Sequence, residues 1–123
     1  AVAYYGPVSP AKGKIKKQEK TMSIELTRNP DILAELGRSR KGRKPVLVGF
    51  AMESDDVVAH AKRKLVEKKV DLVVANEASV GFGGDDNQAA LVAREGVQEL
   101  PPMSKLLLAD RILDRVKELL RGK

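Results

Sequence analysis

Two short runs are continuously apolar, Val46-Leu47-Val48 just after a proline and Leu72-Val73-Val74-Ala75, and an amphipathic stretch lies between them. Each run predicts a strand buried on both faces. At about 100° per residue, Val57, Val58, Ala61 and Leu65 form one stripe of a helix, while Ala59, His60, Arg63 and Glu67 take the solvent side. Ser54 is placed to cap that helix, with Asp55 and Asp56 in a first turn whose dipole favours carboxylates. Residues 45–76 therefore predict a strand, a helix and a parallel strand. Ligands of such a unit belong outside the carboxyl ends of its strands, here Phe50-Ala51 and Asn76-Glu77.

The flanking pattern is less regular. Residues 1–5 read as the end of a strand, and Gly6-Pro7, Pro10 and Gly13 as a loop. Residues 14–18 (KIKKQ) and 22–28 (MSIELTR), with alternation at Met22, Ile24 and Leu26, predict a hairpin or paired ribbon with one lysine-rich face. That face is either a charge-protected edge or a phosphate contact. Asn29-Pro30-Asp31 predicts a helix start, with Asn29 as cap and Pro30 first in the helix, and Gly37 predicts its stop. The amides at that start can receive an anion. Residues 88–94 and 97–100 predict two strands turning at Glu95-Gly96. Ser104 opens a last helix, and its broad stripe of Leu108, Ala109, Ile112, Leu113, Val116, Leu119 and Leu120 is assigned to the core.

Composition narrows the chemistry. The 123 residues, 42% hydrophobic and 33% charged, fit one domain with a core, and no apolar run reaches membrane-spanning length. The absence of cysteine excludes disulfides and thiolate chemistry and fits a cytoplasmic origin; the single histidine, His60, excludes a histidine-based metal site or triad. No metal ligands are assigned. An opening of AVAYY, with no initiator methionine or signal peptide, predicts a piece of a longer protein.

Charge is distributed unevenly. Residues 10–44 hold 11 Lys/Arg against 4 Asp/Glu, while the whole chain carries +6. Such a segment suits the phosphates of a nucleotide or a nucleic acid, or is simply solvated. On the central helix, Lys64 and Lys68 sit one turn apart along the border of the apolar stripe. Either their stems snorkel at the edge of the core, or an anion occupies the adjoining crevice. The glycine-rich residues 77–87 (EASVGFGGDDN) match neither GxxxxGK[ST] nor GxGxxG.

The ordered series AVAYYGP, KIKK, NPDIL, LVGFAMES, AKRKLVEKK, DLVVAN, GFGGDDN and a closing MSK helix resembles the carboxyl-terminal part of the phosphopantothenate–cysteine ligase domain. In bacteria that domain is usually fused to a flavin-dependent decarboxylase in a bifunctional coenzyme A biosynthesis flavoprotein. The resemblance covers essentially the whole chain. It implies an α/β, Rossmann-like three-layer fold with parallel core strands and a β-ribbon, present here as an incomplete domain. Residues 14–28 would form the ribbon used for dimerisation, and residues 45–76 the nucleotide-binding core.

The same resemblance implies CTP as co-substrate with Mg²⁺, 4'-phosphopantothenate and L-cysteine as the groups joined, a cytoplasmic homodimer, and FMN only in the decarboxylase domain of a parent protein. Lys14 matches a nucleotide-contacting lysine and is the candidate for catalytic charge stabilisation. Pro30, Asp31, Ile32 and Leu33 match the nucleotide-binding PDI segment. Phe50 matches the phenylalanine of the GFA motif, and Lys64 and Lys68 match two nucleotide lysines. Asn76, Asp85, Asp86 and Asn87 resemble further substrate or loop motifs. Tyr4 stands where the family pattern AVADY has a nucleotide-binding aspartate, and a phenol does not replace a carboxylate. With the family's amino-terminal half missing too, the chain alone is expected to be inactive or nearly so.

Two other readings remain at this stage. One is a basic nucleic-acid-binding module, although Tyr4, Tyr5, Phe50 and Phe82 are few and scattered for base stacking. The other is a structural, dimerising piece that binds nothing small.

Overall fold

The computed structural model describes residues 3–17, 20–77 and 86–122, with Asp86 described by its backbone. The chain divides into two units, Ala1–Ile32 and Leu33–Lys123.

The first unit holds a two-stranded antiparallel ribbon, β1 (Tyr5–Pro7) against β2 (Leu26–Arg28), extended by a bond from Val8 N–H to Glu25 O at 3.0 Å. Residues 14–17 form no strand, so the pairing expected within 14–28 is replaced by one between residues 26–28 and 5–7. Asn29 is likewise not a helix cap. Its side-chain amide donates to Ala3 O at 2.8 Å and its backbone N–H to Tyr4 O at 2.8 Å, which closes the ribbon.

The second unit carries the core. After α1 (Ile32–Ser39), β3 (Val48–Glu53) runs parallel to β4 (Leu72–Glu77) through α2 (Val57–Glu67). Beyond the two-residue β5 (Asp86–Asn87), β6 (Ala89–Ala93) and β7 (Gly96–Glu99) complete a mixed sheet in the order β3-β4-β6-β7, with β6 antiparallel to both neighbours. A short β8 (Met103–Ser104) pairs with β5 and leads into α3 (Lys105–Arg121).

Pleat alternation sorts the core into two layers. Val73, Ala75, Ala90 and Val92 face α2, packing with Ala61, Leu65 and Leu33. Leu72, Val74, Leu91 and Ala93 face the other way, against Leu108, Ile112 and Val116 of α3. The result is the expected α/β three-layer arrangement, with parallel pairing confined to β3 and β4.

Several local details differ from the sequence reading. β4 is buried on both faces as expected, but β3 is an edge strand whose Phe50 and Met52 are exposed, and it continues past Ala51 to Glu53. α2 begins at Val57, too late for Ser54 to cap. Asp56 occupies the cap position in the left-handed region, φ 44°, which Asp tolerates better than most residues, and no side chain caps the helix. Asp55 and Asp56 thus precede the first turn rather than fill it. His60 is half-buried near Asp55 instead of fully exposed.

α1 runs through Gly37 to Ser39, because that glycine allows backbone contact rather than ending the helix. In α3 only Leu108, Ile112, Val116 and Leu119 turn inward, while Leu113 and Leu120 stay exposed. Ser104 does cap α3, its hydroxyl accepting from Leu107 N–H at 3.2 Å. Ser104→Ala is expected to remove about 1 kcal/mol, read as a lower urea midpoint at unchanged slope.

Candidate functional site

The carboxyl ends of the parallel strands are where this topology places a ligand, and three elements meet there in the second unit. β3 ends at Glu53, β4 ends at Asn76-Glu77, and the uncapped start of α2 follows. A small cleft of about 160 Å³ opens between the end of β4, the start of β6 and the start of α2, floored by Ala75 and Ala90 and edged by Val57, Glu77, Gln88 and Glu99.

Lys64 is drawn toward this end. Its ammonium lies 3.1 Å from Glu53 Oε1, and both side chains are three-quarters buried or more. An exposed pair of this kind contributes at most about 1 kcal/mol, but partial burial strengthens it. Lys68, one turn on, caps α2 through its backbone N–H to Lys64 O at 3.0 Å, and it too is half-buried. The border placement read from the sequence holds for both lysines. Glu53 was not anticipated, because a carboxylate five sequence positions beyond the run that ends at Val48 carries no local signal of its partner.

Phe50 is 69% exposed on β3 and shares its pleat face with Val48, the side facing α3, whereas Glu53 and Lys64 lie on the α2 side. Leu33 packs into the core beneath Gly49, where an added Cβ would meet its Cδ2 at 2.8 Å. Asn76 donates to Gln88 O at 3.4 Å. Asn87 brings its Oδ1 into a buried position with no hydrogen-bond partner among the described residues. Asp85 lies outside the described residues, and Asp86 pairs by its backbone with Ser104.

The other expected site residues belong to the first unit. Tyr4 is exposed and accepts at its carbonyl from Asn29; Lys14, Pro30 and Asp31 are exposed, and Ile32 is the first residue of α1. Among the described residues no group of three or more His, Cys, Asp or Glu can hold a metal ion. No helix among them is long and apolar enough to cross a membrane.

Residues 1–120 match the family described as the DNA/pantothenate metabolism flavoprotein C-terminal domain. The chain belongs to that family. It is 41% identical to the coenzyme A biosynthesis bifunctional protein CoaBC of Vibrio cholerae, over 96% of this chain and 31% of that protein. It is 42% identical to the protein of the same name from Bacillus subtilis, over 97% of this chain and 30% of that one.

Among solved structures, the C-terminal domain of a CoaBC protein superposes with a TM-score of 0.70 at 35% identity, covering 81% of this chain and 46% of that one. The DNA/pantothenate metabolism flavoprotein from Streptococcus pneumoniae superposes at 0.64 with 20% identity, a likeness of fold. The chain thus spans about a third of the length of these curated relatives and about half of the solved flavoprotein domain.

Proposed function

We propose that this chain is the nucleotide-binding part of a ligase that joins 4'-phosphopantothenate to L-cysteine, with CTP as the activating co-substrate. The observation that carries the reading is the family match over residues 1–120, to relatives named for coenzyme A biosynthesis. The basic border of α2 beside the end of β3 supports it.

The chemistry requires activation, because a bare carboxylate is a poor acyl donor at neutral pH. The phosphopantothenate carboxylate attacks the α-phosphorus of CTP and pyrophosphate leaves. The amine of cysteine then attacks the acyl carbon and CMP departs with the C–O electron pair, leaving the amide and one proton for the solvent. Throughout, the protein's work is to hold anions side by side and offset the phosphate charge. Lys64 and Lys68 supply fixed positive charge, Lys14 adds a third cation, and Phe50 offers an exposed ring to the nucleotide. Pro30, Asp31, Ile32 and Leu33 form the stretch entering α1, and Tyr4 stands at the family's aspartate position. Asn76 and Asn87, with Asp85 and Asp86, complete the proposed set.

A phosphate arriving at Lys64 competes with Glu53 for the ammonium, so the pair acts as a charge held ready and exchanged on binding. The described residues lack the carboxylate cluster of a protein-held Mg²⁺ site. When bound, Mg²⁺ would supply positive charge that offsets the triphosphate's own.

We also propose that the ribbon pairs two copies of the protein. Met22, Ile24 and Leu26, together with Tyr5 and Val8, leave an apolar surface exposed in the first unit, which suits a second copy better than water.

The test is CTP titration of the chain followed by calorimetry. Lys64→Ala is expected to weaken binding about tenfold, and Glu53→Gln to strengthen it severalfold by releasing the ammonium. Unchanged affinity in both variants, or binding of any polyanion equally well, would rule the reading out. With CTP, phosphopantothenate and cysteine all supplied, the isolated chain is expected to release no appreciable pyrophosphate.

A further inference from the structure

A cavity of about 670 Å³ lies not at the carboxyl ends of β3 and β4 but at the opposite end of the sheet. It opens beneath the start of β4, where Asp71 precedes Leu72 and the β6–β7 turn folds under. Its size falls within the range of small-molecule sites, about 300–1,000 Å³.

Its lining is cationic. Arg43 comes from the connection after α1, Lys62 and Lys69 from α2 and its exit, and Arg94 from the β6–β7 turn, with Arg40 at the back. Among the described residues two carboxylates face them, and both are engaged: Asp71 with Arg40, and Glu95 with Arg115 at 3.0 Å. The lining therefore carries three positive charges in excess. The carboxyl-terminal ends of α1, α2 and α3 lie nearby and offset about half a charge each, so a surplus of about one and a half remains.

Beneath these groups, Leu65 and Val70 form a buried apolar floor, and Val66 and Leu119 form apolar walls. Among the described residues, none of the aromatic side chains of Tyr4, Tyr5 and Phe50 lines the cavity, so they offer no platform for base stacking there.

We infer that this cavity is a second ligand site, for a small phosphorylated molecule that also carries an apolar group. Phosphate oxygens meet the cations at the rim, and the apolar part lies on Leu65, Val66 and Val70. The site is independent of the nucleotide reading: Lys64 does not line it, and it sits at the far end of β4.

The experiment is an amide chemical-shift titration of the whole chain with inorganic pyrophosphate, methyl phosphate and hexyl phosphate, at about 0.1 M salt so that diffuse attraction is screened. Saturable shifts are expected at Gly42, Lys69, Arg94 and Gly96, with Phe50 and Met52 unmoved. Hexyl phosphate is expected to bind at least about threefold tighter than methyl phosphate, from burial of its chain.

Lys62→Gln combined with Arg94→Gln, both at exposed positions that leave the core intact, should weaken all three probes about tenfold as read at those four amides. Shifts that fail to saturate and spread over every lysine, affinity undiminished in the double variant, or equal affinity for the hexyl and methyl esters would each overturn the inference.

Discussion

Arg40→Ala is expected to lower the stability of the chain by about 3 kcal/mol, several times what a surface ion pair is worth. Arg40 is the hub of the second unit's lower end. Its Nη1 donates to Asp71 Oδ2 at 2.5 Å and to Pro45 O at 2.8 Å, and its Nη2 donates to Asp71 Oδ1 at 3.1 Å and to Lys69 O at 2.8 Å. Asp71 Oδ2 also accepts from Leu47 N–H at 2.9 Å, so one carboxylate joins the entrance of β3 to that of β4. The two side chains are only 12% and 16% exposed. Removing the guanidinium leaves a part-buried carboxylate without its charged partner, which is why the loss exceeds the pair's own attraction, while the exposed Pro45 and Lys69 carbonyls can turn to water. The urea midpoint should fall with the slope unchanged.

The same pair fixes a pH dependence. Burial alone would raise the Asp71 pKa, but the hydrogen bonds from Arg40 and Leu47 N–H and the charges of Arg40 and Arg43 outweigh it and hold the carboxyl below its usual range. A depressed carboxyl contributes stability that is fully present above the unfolded value, near pH 3.9, and is lost as pH falls through the lower folded value. The gap between the parent chain and Arg40→Ala should therefore be widest at neutral pH and narrow below about pH 4, as Asp71 takes up its proton. A gap of constant size from pH 7 to pH 3 would contradict the assignment.

The sequence was most informative where burial is complete. The run at residues 72–75 has both faces covered, so an unbroken apolar string was a sufficient signal. β3 was harder to bound because an edge strand keeps only alternate positions inside, and its exposed Phe50 and Met52 interrupt the pattern read as a core strand. Asn29-Pro30-Asp31 has the local chemistry of a helix start, but Asn29 is held by Ala3 and Tyr4, some 25 positions away, which no local rule weighs. The stripe on α3 was too broad because the inner face of a helix is set by how much sheet lies beneath it, and here Leu113 and Leu120 have none.

The candidate sites follow the same division. Lys64 and Lys68 stood out because helical spacing alone places them on the border of an apolar face. Glu53 did not, and neither did the cationic cavity, whose Arg43, Lys62, Lys69 and Arg94 are scattered along the chain and gathered only by the folded sheet.

Gly37→Ala carries the sharpest disagreement between local propensity and packing. In a helix interior the change should help by about 1 kcal/mol, since alanine is the better helix former. Gly37, however, is buried against the exit of α2, where an added Cβ would stand 1.8 Å from Lys68 O and 2.9 Å from Lys68 C. Both atoms are backbone, so no side-chain rotation relieves the overlap, and α1 must move away from the α2–β4 connection. Overpacking of this kind costs about 3 kcal/mol, so the net expectation is a loss of about 2 kcal/mol and a lower melting temperature. Gly13→Ala, with open space around its Cβ, is the control and should be neutral or slightly stabilising. Because the displaced carbonyl belongs to Lys68, the variant should also weaken CTP binding in the proposed site. A Gly37→Ala chain that melts higher than the parent would mean that propensity outweighs the contact, and that α1 is not seated on Lys68 in solution.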